Sequence, residues 1–203
     1  MPGLKAHMLR VAGVASIICD NFSRPVDKNL VISAALLHDI GNIVKFKLEA
    51  FPDLLDAKDM NYWTRVQEDF KKKYGENDYQ ATYKILKEIG VSKAVSSLIE
   101  AMEVTRAPLN VGGDDFEVKI CQYADLRVAP FGVLPLKDRL REVQDRFIKN
   151  KGISEQEFLR LALSMEEIEK QIFVYEKISP NFVTDEKIAS LTQELDNFDI
   201  ATK

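Results

Sequence analysis

The chain has 203 residues, is 46% hydrophobic and 30% charged, and carries a formal net charge of −4. That length suits a globular domain able to bury a proper core, and the acidic balance disfavours nucleic acid as a bulk partner. The two cysteines, Cys19 and Cys121, make no disulfide framework, and no apolar run approaches a bilayer span, so a soluble, cytoplasmic setting is the expectation.

The hydrophobic periodicity is helical almost throughout. His7, Val11, Val14 and Ile18 form one stripe of a first helix, so His7 points the same way as the core residues. Asp20–Pro25 breaks the pattern. A second helix runs from about Asp27 to Ile40; it is apolar nearly all round, which marks a central, buried helix, and Gly41 reads as its C-terminal stop. A short helix is expected around Phe51–Lys58. Helices near Tyr62–Tyr74, Asp78–Ile89 and Ser92–Met102 follow, separated by Gly75 and Gly90. Residues 105–115 read as a loop. Further helices are expected over about Phe116–Val128, Leu136–Asn150, Ser154–Ile178 and Thr184–Asn197, with no strand hairpin, repeat or low-complexity tract. The helix over 154–178 spaces Phe158, Leu161, Met165, Ile168, Ile172 and Tyr175 as an a/d seam. Docking on its own domain is the favoured reading of that seam, and a homodimer contact is the alternative.

The chemistry lies in very few residues. His7 and His38 are the two histidines of the chain, and both sit on strongly apolar helical segments, where a polar group is costly without a partner. Asp39 follows His38 directly, at the end of the aliphatic run Leu30–Leu37. One metal ion would satisfy all three, provided it lies near the end of the second helix, because adjacent helical residues diverge by about 100°. A further carboxylate from a third helix completes such a site. Asp125 is the best candidate, since it shares a helix face with Cys121, Ala124 and Val128. Two His and two carboxylates suit one divalent ion such as Mn, Fe, Co, Ni or Zn, and do not select among them.

This arrangement resembles the HD-domain superfamily of metal-dependent phosphohydrolases. That pattern has a His on the first helix, an adjacent His-Asp pair on a following helix and a distant Asp on a later one. His7 matches the first, Ala35-Leu-Leu-His38-Asp39-Ile-Gly41 the pair with its flanks, and Tyr123-Ala-Asp125-Leu-Arg-Val128 the last; the match covers about residues 1–130. Departures accompany it. Many relatives place Lys directly after the His-Asp-x-Gly stretch, where this chain has Asn42, with Lys45 and Lys47 beyond. Relatives with two metals carry further histidines before the last Asp, often where Tyr79 stands here. The resemblance therefore implies one metal, and argues against the cyclic-dinucleotide phosphodiesterase subgroup.

What the resemblance implies is an all-α, HD-domain-like helical bundle, with a metal-binding core over 1–133 and C-terminal helices over 134–203 that pack on the core or form an oligomer contact. The expected substrate is a small phosphate ester, foremost a nucleotide. His7, His38, Asp39 and Asp125 are the expected ligands, with Asp39 doubling as proton acceptor. Lys45 and Arg127 are the expected phosphate-facing cations; Arg10 stands one turn after His7 as a weaker candidate. Tyr62, Trp63 and Phe46 could stack a base, but core packing is the better reading, as it is for Cys121. Two rival readings are a non-catalytic sensor or scaffold that holds a metal and a nucleotide, and a structural helical protein in which the His-Asp pair is coincidental.

Overall fold

The computed structural model describes residues 1–50, 55 and 60–202. Ten α-helices appear among them: α1 (Pro2–Asn21), α2 (Lys28–Leu37), α3 (Met60–Tyr74), α4 (Asp78–Ile89), α5 (Lys93–Ala101), α6 (Ala107–Asn110), α7 (Phe116–Arg127), α8 (Leu136–Lys151), α9 (Glu155–Phe173) and α10 (Asp185–Leu195). Short polar side chains start most of them by accepting hydrogen bonds from the first free backbone N–H groups. Asp27 does so for α2, Asn77 for α4, Ser92 for α5, Asp115 for α7 and Thr184 for α10. Ser154 and Glu157 form a reciprocal capping box at α9. Gly90 ends α4 in the left-handed conformation, φ 74°, as the sequence implies.

The centre of the bundle is α2 against α1, α5 and α7. Val11, Val14, Ala15 and Ile18 of α1 are wholly buried, as are Val31, Ile32, Ala34 and Ala35 of α2 and Ile120, Cys121 and Ala124 of α7. Cys121 is thus a core residue, its Sγ 3.6 Å from the Val31 carbonyl. The seam of α9 is filled from within the chain: Phe158, Leu161, Met165, Ile168 and Ile172 are buried, with α9 lying on α6, α7 and α8. The intramolecular reading of the seam is the one observed. α10 returns to lie along α1, so closely that a Cβ placed on Gly13 would stand 3.1 Å from Thr192 and 3.2 Å from Ile188.

Several expectations need correction. α2 stops at Leu37, not Ile40, and the chain tightens into a 3-10 helix over Ile40–Val44. Gly41 does not end α2 by a left-handed turn; its φ is not positive. It is small because α4 lies against it: a Cβ there would stand 2.5 Å from Thr82 Oγ1 and 2.6 Å from the Asp78 carbonyl. The stretch read as a loop from 105 holds a helical turn, α6. Two short strands, β1 (Val128–Ala129) and β2 (Gly132–Val133), pair antiparallel after α7 where no hairpin was expected. α9 ends at Phe173, before the expected Ile178. The helix expected around Phe51–Lys58 falls, apart from Leu55, outside the described residues. Among the described residues no helix is long and apolar enough to cross a membrane.

The segment after α9 bridges back to α1 at Phe22 and Glu176. Both carboxylate oxygens of Glu176 are buried without a hydrogen-bond partner, and burial pushes its pKa up to about 7. The protonated side chain is the comfortable one, so stability is fully present below the ordinary carboxylate pKa and is lost as pH rises through 7. Glu176→Gln should therefore leave thermal unfolding unchanged at pH 4. At pH 8 it should stabilise by about 1 kcal/mol, a figure reduced for partial exposure. Equal melting shifts at both pH values would contradict this account.

Candidate metal centre

α1 and α2 are both too apolar to leave a histidine unpartnered, and they pack side by side. His7 projects from the first two turns of α1. His38 is the residue that closes α2, and Asp39 begins the 3-10 turn. The break in the α-helix at this point lets neighbouring side chains face one place, which a continuous helix with its 100° step would oppose. α7 brings Asp125 in from a third direction.

The four side chains converge. His7 Nε2 lies 3.6 Å from Asp39 Oδ2 and 3.2 Å from Asp125 Oδ1; His38 Nε2 lies 3.7 Å and 3.2 Å from the same two atoms. The two imidazole rings are 5.4 Å apart, centre to centre. Ligand atoms of His7, His38 and Asp39 all fall within 4.8 Å of one another.

His38 carries the strongest signal. Its Nδ1 stands 2.9 Å from the Ala35 carbonyl, which can only accept, so Nδ1 carries a hydrogen and donates. In the neutral ring Nε2 is then a bare lone pair. That atom is buried, and despite the nearby carboxylates it makes no well-aligned hydrogen bond. A lone pair facing carboxylate oxygens is stable only with a cation between them. Without a metal, a proton takes that role: burial opposes charge on His38, but Asp39 and Asp125 outweigh it and hold its pKa up at about 9. Burial likewise works against the Asp125 carboxylate, and His38 and His7 overcome it, keeping Asp125 well below the usual carboxylate range. The donor set, its separation and the orphaned nitrogen all fit a divalent ion bound by His7, His38, Asp39 and Asp125.

The other expected site residues are placed differently. Arg127 is 2% exposed and is not a free fork open to a substrate phosphate. It donates to the Leu134, Pro180 and Val183 carbonyls and to the Tyr123 hydroxyl. Its role is to clamp the C-terminal segment onto α7, and the expectation of a phosphate-facing Arg127 gives way to this. Arg127→Ala should lose about 3 kcal/mol in urea unfolding, from the cavity and the abandoned carbonyls, while KM of the folded fraction stays within twofold. A large rise in KM at unchanged stability would restore the phosphate role.

Lys45 is exposed on the 3-10 side of the site and is already paired with Asp78 at the start of α4. Arg10 is near Asp185, at 3.6 Å. Tyr79 donates to Glu103 at 2.7 Å. Trp63 is buried against Tyr62, as expected for packing; Asn42 is half-buried and Lys47 exposed. Two arginines of α8 that sequence reasoning missed also feel the Asp125 carboxylate, which favours the charged form of each. Arg139 of α8 donates from Nε to the carbonyl of Leu126, the residue after Asp125, at 3.1 Å. Arg146 lies seven residues further on, on the same helix face. That spacing was the one signal available, and it does not reveal what the face meets.

The family model described as HD domain matches residues 4–128, more than half of the chain. No curated protein and no solved structure gives a significant match to it.

Proposed function

Because the chain belongs to the HD domain family, we propose that it is a metal-dependent phosphohydrolase acting on a small phosphate ester, foremost a nucleotide. The observation that supports this most is the convergence of His7, His38, Asp39 and Asp125 around the orphaned His38 Nε2. When bound, the ion supplies Lewis acidity toward a phosphate oxygen and a water of lowered pKa.

The chain's own residues do the rest. Ala35 fixes the His38 tautomer through its carbonyl, so the ring presents a lone pair without rearrangement. Asp39 is partly exposed, which supports its role as the group that would take the proton of the attacking water. Lys45 lends positive charge at the rim, screened by Asp78.

One feature favours a non-catalytic sensor instead. Tyr79, where relatives with two metals often place a histidine, holds Glu103 and offers no ligand. Turnover separates the two readings. Protein loaded with Mn or Co should release phosphate from a panel of phosphate esters and stop when the metal is chelated. Absence of turnover across the panel, with about one ion bound per chain, would overturn the hydrolase reading and leave the sensor.

A further inference from the structure

Three cations considered for the centre are already engaged: Arg127 by carbonyls, Lys45 by Asp78 and Arg10 by Asp185. α8 lies outside the stretch matched by the family model, yet it crosses the end of α7 beside the ligand Asp125. Arg139 is 7% exposed, tied through Nε to Leu126 and flanked by the Glu142 carboxylate. Arg146 is exposed and has no hydrogen bond or ion pair among the described residues. Seven residues is two helical turns, so Arg146 stands on the face of α8 that carries Arg139, whose Nε meets the Leu126 carbonyl beside Asp125.

We infer that Arg146, backed by the fixed guanidinium of Arg139, is the phosphate-binding cation of the His7–His38–Asp39–Asp125 centre. The C-terminal extension thereby contributes a residue to the site. This rests on the phosphohydrolase reading for its substrate, a phosphate ester, but not for the binding itself. The chemistry is that of a planar fork with parallel N–H donors, which matches two phosphate oxygens at once and holds its charge at any physiological pH. Arg139 has its Nε committed to Leu126 and its Nη1 against the Glu142 carboxylate, so it serves by holding α8 in place. Electrostatics agrees with the geometry. Desolvation lowers the pKa of both guanidiniums, the neighbouring Arg146 helps bring Arg139 to about 10, and the Asp125 carboxylate favours the charged form of each, so both stay charged at physiological pH. Arg139 is already balanced by Glu142, whereas Arg146 has no carboxylate paired to it among the described residues and is the guanidinium left to receive a second anion.

The test compares Mn-loaded wild type with Arg146→Gln and Arg146→Lys, using inorganic phosphate as the probe in titration calorimetry. Arg146 has no partner to lose, so metal content and melting temperature should stay unchanged in both variants. Phosphate binding should weaken at least tenfold in Arg146→Gln and recover in part in Arg146→Lys. If the wild type hydrolyses an ester, KM should rise about tenfold in Arg146→Gln with a smaller change in kcat. Wild-type phosphate affinity in Arg146→Gln, or no phosphate binding by metal-loaded wild type, would overturn the inference. Phosphate binding that depends on Arg146 in a protein without turnover would uphold it and sink only the hydrolase reading. Protein that retains neither metal nor phosphate would overturn both.

Discussion

Replacing His38 by alanine should strip the protein of its ion. Metal analysis of purified wild type should give about one divalent ion per chain, and His38→Ala close to none, with ester hydrolysis reduced at least about 100-fold. His38 is the proposed ligand whose position is set most rigidly: its Nδ1 is tied to Ala35, which aims its buried Nε2 at the Asp39 and Asp125 carboxylates. A stability measurement distinguishes lost binding from general damage. An ion that binds only the folded chain adds about 2.7 kcal/mol when present at a hundred times its Kd. Chelation should therefore lower the melting temperature of wild type and leave that of His38→Ala where it is. A variant that still retains one ion, and still responds to chelation, would show that the imidazole is a core residue and not a ligand.

Gly41→Ala should be nearly as damaging, though Gly41 touches no ligand. The added methyl would meet Thr82 and the Asp78 carbonyl at distances no Cβ tolerates, so either α4 or the 3-10 turn must move. Overpacking of this kind costs about 1–3 kcal/mol, readable in denaturant unfolding. Asp39 lies two residues before Gly41, so metal affinity should fall as well. Thr82→Ala alone loses the hydrogen bond from the Gly41 N–H, at 3.2 Å, worth about 1 kcal/mol. The double variant should not recover, because two of the three crowding atoms belong to the backbone of α4 and survive the change. Full recovery would mean that the Thr82 hydroxyl is the whole obstacle, and that the close approach of backbones is not what requires glycine.

The helical stripes and the convergence of His7, His38, Asp39 and Asp125 were legible in the residues because both depend on local spacing. His7 shares a face with Val11 and Val14, and Asp125 one with Cys121, so burying the apolar partner aims the polar one inward. Arg127 was misread for a reason also present in the spacing. Two residues past Asp125 is about 200° round the helix, which points it to the far side, toward Pro180 and Val183. What could not be read is whatever depends on a distant segment arriving. Gly41 has the sequence context of a helix stop, and only the approach of α4 shows that its size is what matters. Arg139 and Arg146 look like surface residues of an amphipathic helix until α8 is laid across the end of α7. The α9 seam had the spacing of a dimer interface, and the chain filled it with its own side chains.

α10 rests on the Gly13 face of α1, and α1 bears His7 on its preceding turns. Recombination or gene shuffling that kept only the stretch up to residue 128 would strip Ile188 and Thr192 from the Gly13 face of α1 and leave the Arg127 fork without its carbonyls. The piece of this gene that should fold and travel as a unit is thus longer than the stretch the family model marks out, with the C-terminal helices included.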